Sequence, residues 1–265
     1  MTTIDTTARP AQTSTPAAAP ARAGLTKLVG LEMRKMVDTR AGFWLLLVMA
    51  FGVVAIVVVQ LLWGAAEDAT FAGFLDGLLT PVSLLLPVLG ILSVTGEWTH
   101  RTALSTFTLV PQRLRVVTAK LGAAVVLAAA SLLLTLAASA LGNLLALALD
   151  KGDGSWNLSP YLVLHTLLWH TLSVVMGVAF GMLLANAALA IAVYFVLPTV
   201  WTVLGLVITV LKDIAPWLDI DLAMDALSTN ARSVSGWAHL VTSSLLWIGL
   251  PLLIGCVRLL RREIK

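Results

Sequence analysis

The sequence has little charge and almost no cysteine, and each shortage excludes a class of protein. Only 12% of its 265 residues are charged and 59% are hydrophobic, with a mean hydropathy of +0.95. A soluble domain averages about 25% charged residues. The single cysteine, Cys256, excludes an internal disulfide and a cysteine-based metal cluster. Because no soluble core of this length could bury so much apolar surface, we expect lipid to solvate much of the chain.

The basic residues do not indicate a nucleic-acid-binding protein, although the isoelectric point is near 9.3. They lie beside apolar runs and are not interleaved with aromatic residues on one polar face. The first 24 residues are rich in Thr, Ala and Pro and lack the apolar core of a secretory signal. We interpret residues 1–24 as a disordered cytoplasmic tail.

The apolar runs predict membrane-spanning helices, each of which needs about 20 residues. Residues 161–211 contain no acid, Lys or Arg, and one helix of that length would be roughly 75 Å long. This stretch must therefore fold back, and we expect the turn at Asn186 in LLANAALA. The predicted fold is an all-α, polytopic integral membrane protein with six spans at about 43–63, 71–94, 121–149, 161–185, 187–211 and 240–257.

The distribution of charge predicts the orientation of these spans. Of the 17 Lys and Arg residues, only Lys151, Lys212 and Arg232 lie in segments predicted to be external, and the other fourteen lie in segments predicted to be cytoplasmic. Cytoplasmic loops of membrane proteins carry this excess of positive charge. We therefore expect a multi-pass protein of the cell membrane with both termini in the cytoplasm.

Candidates for chemistry inside the membrane are few. No lysine is followed by Ser or Thr, so the chain has no Walker A motif of its own. His165 and His170 are five residues apart and do not share a helix face, unlike zinc ligands at i and i+4. Asp76 is the only acid within a predicted span, and with Gln60 and Asn143 it could line a translocation path. The alternative is that Asp76 is solvated at the interface or bonded to a neighbouring helix.

Residues 25–40 have the pattern of an amphipathic helix that lies in the membrane interface before the first span. Its apolar residues fall within about half of the circumference at 100° per residue. Glu32 lies inside this apolar stripe, which indicates a partner. Two partners are open: Lys35, three residues on, or a basic residue of the loop after the second span.

That loop, GEWTHRTALSTFTLVPQRLRVVTAK at residues 96–120, interrupts two long apolar runs. Glu97 and Arg101 have the spacing of a favourable i,i+4 ion pair. Residues 99–110 could form a short helix on the membrane surface, which Pro111 would end. A plain solvated loop with orienting charges is the alternative. Three basic residues in the opening turns of the third span are expected to snorkel to the headgroups: Arg113, Arg115 and Lys120.

The segment at residues 212–238 is predicted to be external and to contain helical structure. Its apolar residues alternate with four aspartates. Apolar groups in an external loop are costly unless they pack or lie in the interface. We expect either an ordered cap over the outer mouth or a surface helix without function.

Two stretches resemble the ABC-2 family of ABC transporter permeases: LEMRKMVDTR before the first span and TGEWTHRTALSTFTLVPQRLRVVTAK after the second. The likeness covers about 35 residues, and the six-span layout of residues 41–265, with the helix before it, agrees with the family. Relatives often carry a basic residue in the turn between spans four and five, where this chain has Asn186. The residues that match the motif are Glu32, Lys35, Gly96, Glu97, Thr102, Pro111, Arg113 and Lys120.

The resemblance implies a transport subunit, an exporter that is not itself an enzyme and carries no cofactor. The loop would be a coupling helix that docks onto a separate cytoplasmic ATPase, which binds ATP and Mg²⁺, and two permease subunits, identical or different, would form one transporter. The alternatives are a membrane-embedded lipid-modifying enzyme and a non-transporting membrane assembly protein. The expected coupling residues are Glu97, Arg101, Thr102, Ser105, Thr106, Pro111, Arg113 and Lys120.

Overall fold

The computed structural model describes residues 24–99, 112–229 and 234–261, and regular structure within these ranges is helical. The predicted tail (but for Gly24) and the predicted surface helix at 99–110 (but for Thr99) lie outside the described residues. The α-helices are α1 (Leu25–Asp38), α2 (Arg40–Trp63), α3 (Phe71–Thr99), α4 (Arg113–Ala148), α5 (Pro160–Leu184), α6 (Ala187–Val207), α7 (Ala215–Leu218), α8 (Ile220–Thr229), α9 (Val234–Ser244) and α10 (Leu250–Arg261).

Six of the described helical stretches are long and apolar enough to cross a membrane, which confirms the predicted all-α polytopic fold. Five are α2 to α6, and the sixth is continuous from α9 through a π-helical turn at Leu245–Gly249 into α10. The largest difference from prediction is the third span, which begins at Arg113 and not near residue 121. The second span continues to Thr99, past the predicted residue 94.

The fold-back within residues 161–211 lies where the sequence predicts it. Helix α5 ends at Leu184, and Ala185 takes a left-handed conformation with φ of 51°. Asn186 then caps α6, because its Oδ1 accepts a hydrogen bond from the Leu189 amide at 3.0 Å. The most polar residue of the stretch therefore begins the next helix.

Helix α5 is the centre of the bundle and packs against α3, α4, α6 and α10. Half of its apolar window is buried, compared with 22% for α2 and 11% for α6. The approach of α3 and α5 is close: a Cβ added to Gly177 would lie 2.2 Å from the Pro87 carbonyl oxygen. Small residues allow such contacts between helices in lipid, where van der Waals packing drives association. Helices α2 and α6 leave broad apolar faces outside the bundle.

The two ends of the bundle differ in charge. One end, called here the basic end, contains α1, the starts of α2 and α4, the last turns of α3 and α10, and the turn between α5 and α6. At the opposite end, the described basic residues are Lys151 and Lys212. The basic end carries nine within the described ranges: Lys27, Arg34, Lys35, Arg40, Arg113, Arg115, Lys120, Arg258 and Arg261.

Candidate functional site

Four charged side chains from three helices meet at the basic end, and we call them the charge cluster: Glu32, Lys35, Glu97 and Lys120. Each lysine contacts both glutamates. The Nζ of Lys35 lies 2.6 Å from Glu32 Oε1 and 2.9 Å from Glu97 Oε1. The Nζ of Lys120 lies 2.6 Å from Glu32 Oε2 and 3.1 Å from Glu97 Oε1. Helix α1 supplies two members, the end of α3 supplies Glu97, and the start of α4 supplies Lys120.

Three members of the charge cluster are buried. Glu32 is 6% exposed, Glu97 8% and Lys120 4%, whereas the Lys35 side chain is partly open to solvent. Lys120 donates hydrogen bonds to Glu32 and to the Ser93 carbonyl oxygen, the latter at 2.9 Å, and its ion pair with Glu97 adds a third oxygen near the ammonium group. A buried charge is tolerated only when it is paired and hydrogen-bonded. The cluster meets that condition, and its formal charge is zero.

The electrostatics of Lys35 follow from this arrangement. Partial burial lowers the pKa of its ammonium group, but the hydrogen bonds and the negative charges of Glu32 and Glu97 outweigh burial and raise the pKa above its usual value. Lys35 is therefore protonated at neutral pH. Its positive charge lies on the solvent-facing side of the charge cluster.

The charge cluster shows which partners Glu32 has, and it corrects the expectation for Lys120. Both open partners are present, because Glu32 contacts Lys35 on its own helix and Lys120 from the loop region. The prediction that Lys120 snorkels to the headgroups is wrong, since this side chain is buried among the glutamates. Glu97 contacts the two lysines, and its predicted pair with Arg101 lies outside the described residues.

The remaining coupling residues fall into two groups. Arg113 donates through Nη1 to the Leu259 carbonyl oxygen at 2.5 Å, so it ties the start of α4 to the end of α10. Helix C-termini leave such carbonyls without partners within the helix. Five predicted coupling residues lie outside the described ranges, between Glu97 and Lys120 in the chain: Arg101, Thr102, Ser105, Thr106 and Pro111.

The three polar residues expected along a translocation path lie toward the opposite end of the bundle, and two of them donate hydrogen bonds to backbone carbonyl groups. Gln60 donates through Nε2 to the Gly73 carbonyl oxygen at 3.0 Å. Asn143 donates through Nδ2 to the Ser155 carbonyl oxygen at 3.2 Å. Asp76 is exposed near the start of α3. These contacts give Gln60 and Asn143 a structural role, and a path through them stays a prediction.

A ladder of polar residues was not predicted from the sequence. Ser131, Thr135, Ser139 and Asn143 recur every four residues on α4, and each is buried against the bundle. The Oγ of Ser131 lies 2.9 Å from Nδ1 of His170 on α5. His165 contacts the Met224 carbonyl oxygen instead, so the two histidines have separate partners, as their spacing predicts. The sequence signal that could have predicted this ladder is the recurrence of polar residues at every fourth position.

The segment after the fifth span contains helical structure, as predicted. Asp219, only 2% exposed, caps α8 by accepting from the Asp221 and Leu222 amides at 2.9 and 3.1 Å. Its other oxygen accepts from Thr202 of α6 at 2.5 Å. The indole of Trp247, in the π-helical turn, donates to the Leu218 carbonyl oxygen at 2.6 Å. Helices α7 and α8 are thereby tied to two spans.

No protein-family model matches the chain, and no curated protein matches it.

Proposed function

We propose that this chain is the membrane-spanning permease subunit of an ABC-2 type transporter and works as an exporter. A separate cytoplasmic ATPase binds ATP and Mg²⁺ and performs the hydrolysis, because this sequence has no Walker A motif. A second permease subunit completes the transporter. The observation that carries the proposal is the charge cluster. Its four members are four of the eight residues that match the family motif, and they converge from positions up to 88 residues apart.

The charge cluster suits the transmission of force from an ATPase to the spans. Residues 100–112 connect α3 to α4, and Glu97 and Lys120 bind each other across that connection. A partner that displaces the connection therefore moves the ends of two spans together. Glu32 and Lys35 extend the movement to α1. Breaking a buried ion pair is costly, so the three helices move as one body.

The sidedness of the bundle supports a cytoplasmic partner. The basic end carries nine Lys and Arg within the described ranges, and the opposite end carries Lys151 and Lys212. An excess of this kind marks the cytoplasmic side of membrane proteins. The charge cluster and both ends of the 100–112 connection would then face the compartment that contains ATP.

Co-purification from native membranes tests the proposal. We expect the tagged chain to retain a protein with a Walker A motif and to change that protein's rate of ATP hydrolysis. Glu97→Gln should reduce the change, because it weakens the link between the connection and the spans. Glu67→Gln, at an exposed acid of the opposite end, is the matched control and should leave the rate unchanged. Purification without any such ATPase, and no effect of added nucleotide on the chain, would contradict the proposal.

A further inference from the structure

A cavity of about 650 Å³ opens at the basic end next to the charge cluster, and two members of the cluster form part of its wall. The ends of α3, α5 and α10 and the start of α4 enclose it. Its inner wall is apolar, with Val94, Val117, Met182 and Leu184, and Arg258 and Arg261 lie on its rim. A volume of this size is typical of a small-molecule site.

The charge of this cavity comes from its two arginines. Glu97 and Lys120 also line it, but both are paired within the neutral charge cluster. Arg258 donates one N–H to the Leu183 carbonyl oxygen at 2.5 Å. A guanidinium has five N–H donors, so others stay available to a ligand. Arg261 makes no hydrogen bond or ion pair with the described part of the chain, and it is exposed.

We infer that this cavity binds an anionic phospholipid of the adjoining leaflet. The two arginines take the phosphate head group, since guanidinium groups match phosphate oxygens in geometry and charge. The apolar wall takes the first part of an acyl chain. Basic cavities between spanning helices on the positively charged side are suited to such head groups. The inference does not depend on the proposed function, because it needs a membrane and no ATPase.

Photo-cross-linking of the full chain in phosphatidylcholine nanodiscs tests the inference. The probe is a trace of phosphatidylglycerol with a diazirine in one acyl chain, and the reference probe is phosphatidylcholine with the same chain. We expect the anionic probe to label peptides that contain Val117 or Met182, and the reference probe to label them about 25-fold less. That ratio combines two arginines, each of which contributes about fivefold in favour of an anionic lipid.

Two variants and one competitor make the test specific. Arg261→Gln should lower cavity labelling about fivefold without disturbing a helix contact. Arg34→Gln, an exposed arginine of α1 that does not line the cavity, should not lower it. Equal labelling by both probes, or equal loss in both variants, would overturn the inference. Inorganic phosphate should not compete; competition would overturn the lipid as occupant in favour of free phosphate.

Discussion

Glu32 is the residue on which the charge cluster depends most directly. Its two carboxylate oxygens serve different lysines, Oε1 for Lys35 and Oε2 for Lys120. Lys120 is almost fully buried, so its charge depends on these carboxylates. Removing one partner of a buried pair leaves an uncompensated charge, which costs about 3–5 kcal/mol. The sequence indicates this dependence, because it puts an acid inside an apolar stripe.

We predict that Glu32→Gln lowers the free energy of unfolding by about 3 kcal/mol. This value is at the low end of the range for breaking a buried ion pair, because Glu97 remains near Lys120. Chemical denaturation of the purified chain in detergent measures the change. Adding Lys120→Met to Glu32→Gln should recover part of the loss, since the buried charge is then removed with its partner.

Asp38→Asn is the control, because Asp38 is an exposed acid near the end of the same helix. A surface change of this kind should stay within about 0.5 kcal/mol. Equal effects of Glu32→Gln and Asp38→Asn would mean that the charge cluster does not stabilise the fold.

At the scale of the helices, a substitution at the contact between α3 and α5 tests helix packing most directly. Gly177→Ala should destabilise the chain by about 1–2 kcal/mol, because overpacking costs about 1–3 kcal/mol and the higher helix propensity of alanine returns less than 1 kcal/mol. The added Cβ would lie 2.2 Å from the Pro87 carbonyl oxygen and force the helices apart. Thermal unfolding in detergent reports the loss.

Gly30→Ala makes the same chemical change in α1, where an added Cβ meets nothing within 4 Å. Here only helix propensity acts, so stability should rise by as much as about 1 kcal/mol. Shifts of the same sign in both variants would show that the contact between α3 and α5 is looser than described.

The helices could be predicted because hydropathy and length decide them, but their ends and partners could not. The sequence predicts that the third span begins near residue 121. A buried lysine is unusual, so Lys120 marks the edge of the apolar run in that prediction. Only the tertiary contacts with Glu32 and Glu97 make that lysine part of the packed helix. The cavity was missed for the same reason, because Arg258 and the α5 end meet only in the fold.

At the scale of the whole molecule, the asymmetry of charge makes a prediction about topology. Single cysteines at Ser155 and Ser228, in a Cys256→Ala background, should react with a membrane-impermeant thiol reagent in intact cells. Both positions lie at the end opposite the charge cluster, and Ser228 is exposed. Protection of both positions, together with labelling of a cysteine at Ser105, would invert the orientation.

The central claim is that an ATPase acts on the connection between α3 and α4, and nucleotide-dependent cross-linking tests it most directly. A cysteine at Ser105 lies outside the described residues but within that connection, and it leaves the charge cluster intact. In a Cys256→Ala background we predict a cross-link to the co-purified ATPase whose yield differs between the ATP-bound and nucleotide-free states, and none from Ser155→Cys. No cross-link from any position between Thr102 and Thr108, although the ATPase is retained, would contradict the account.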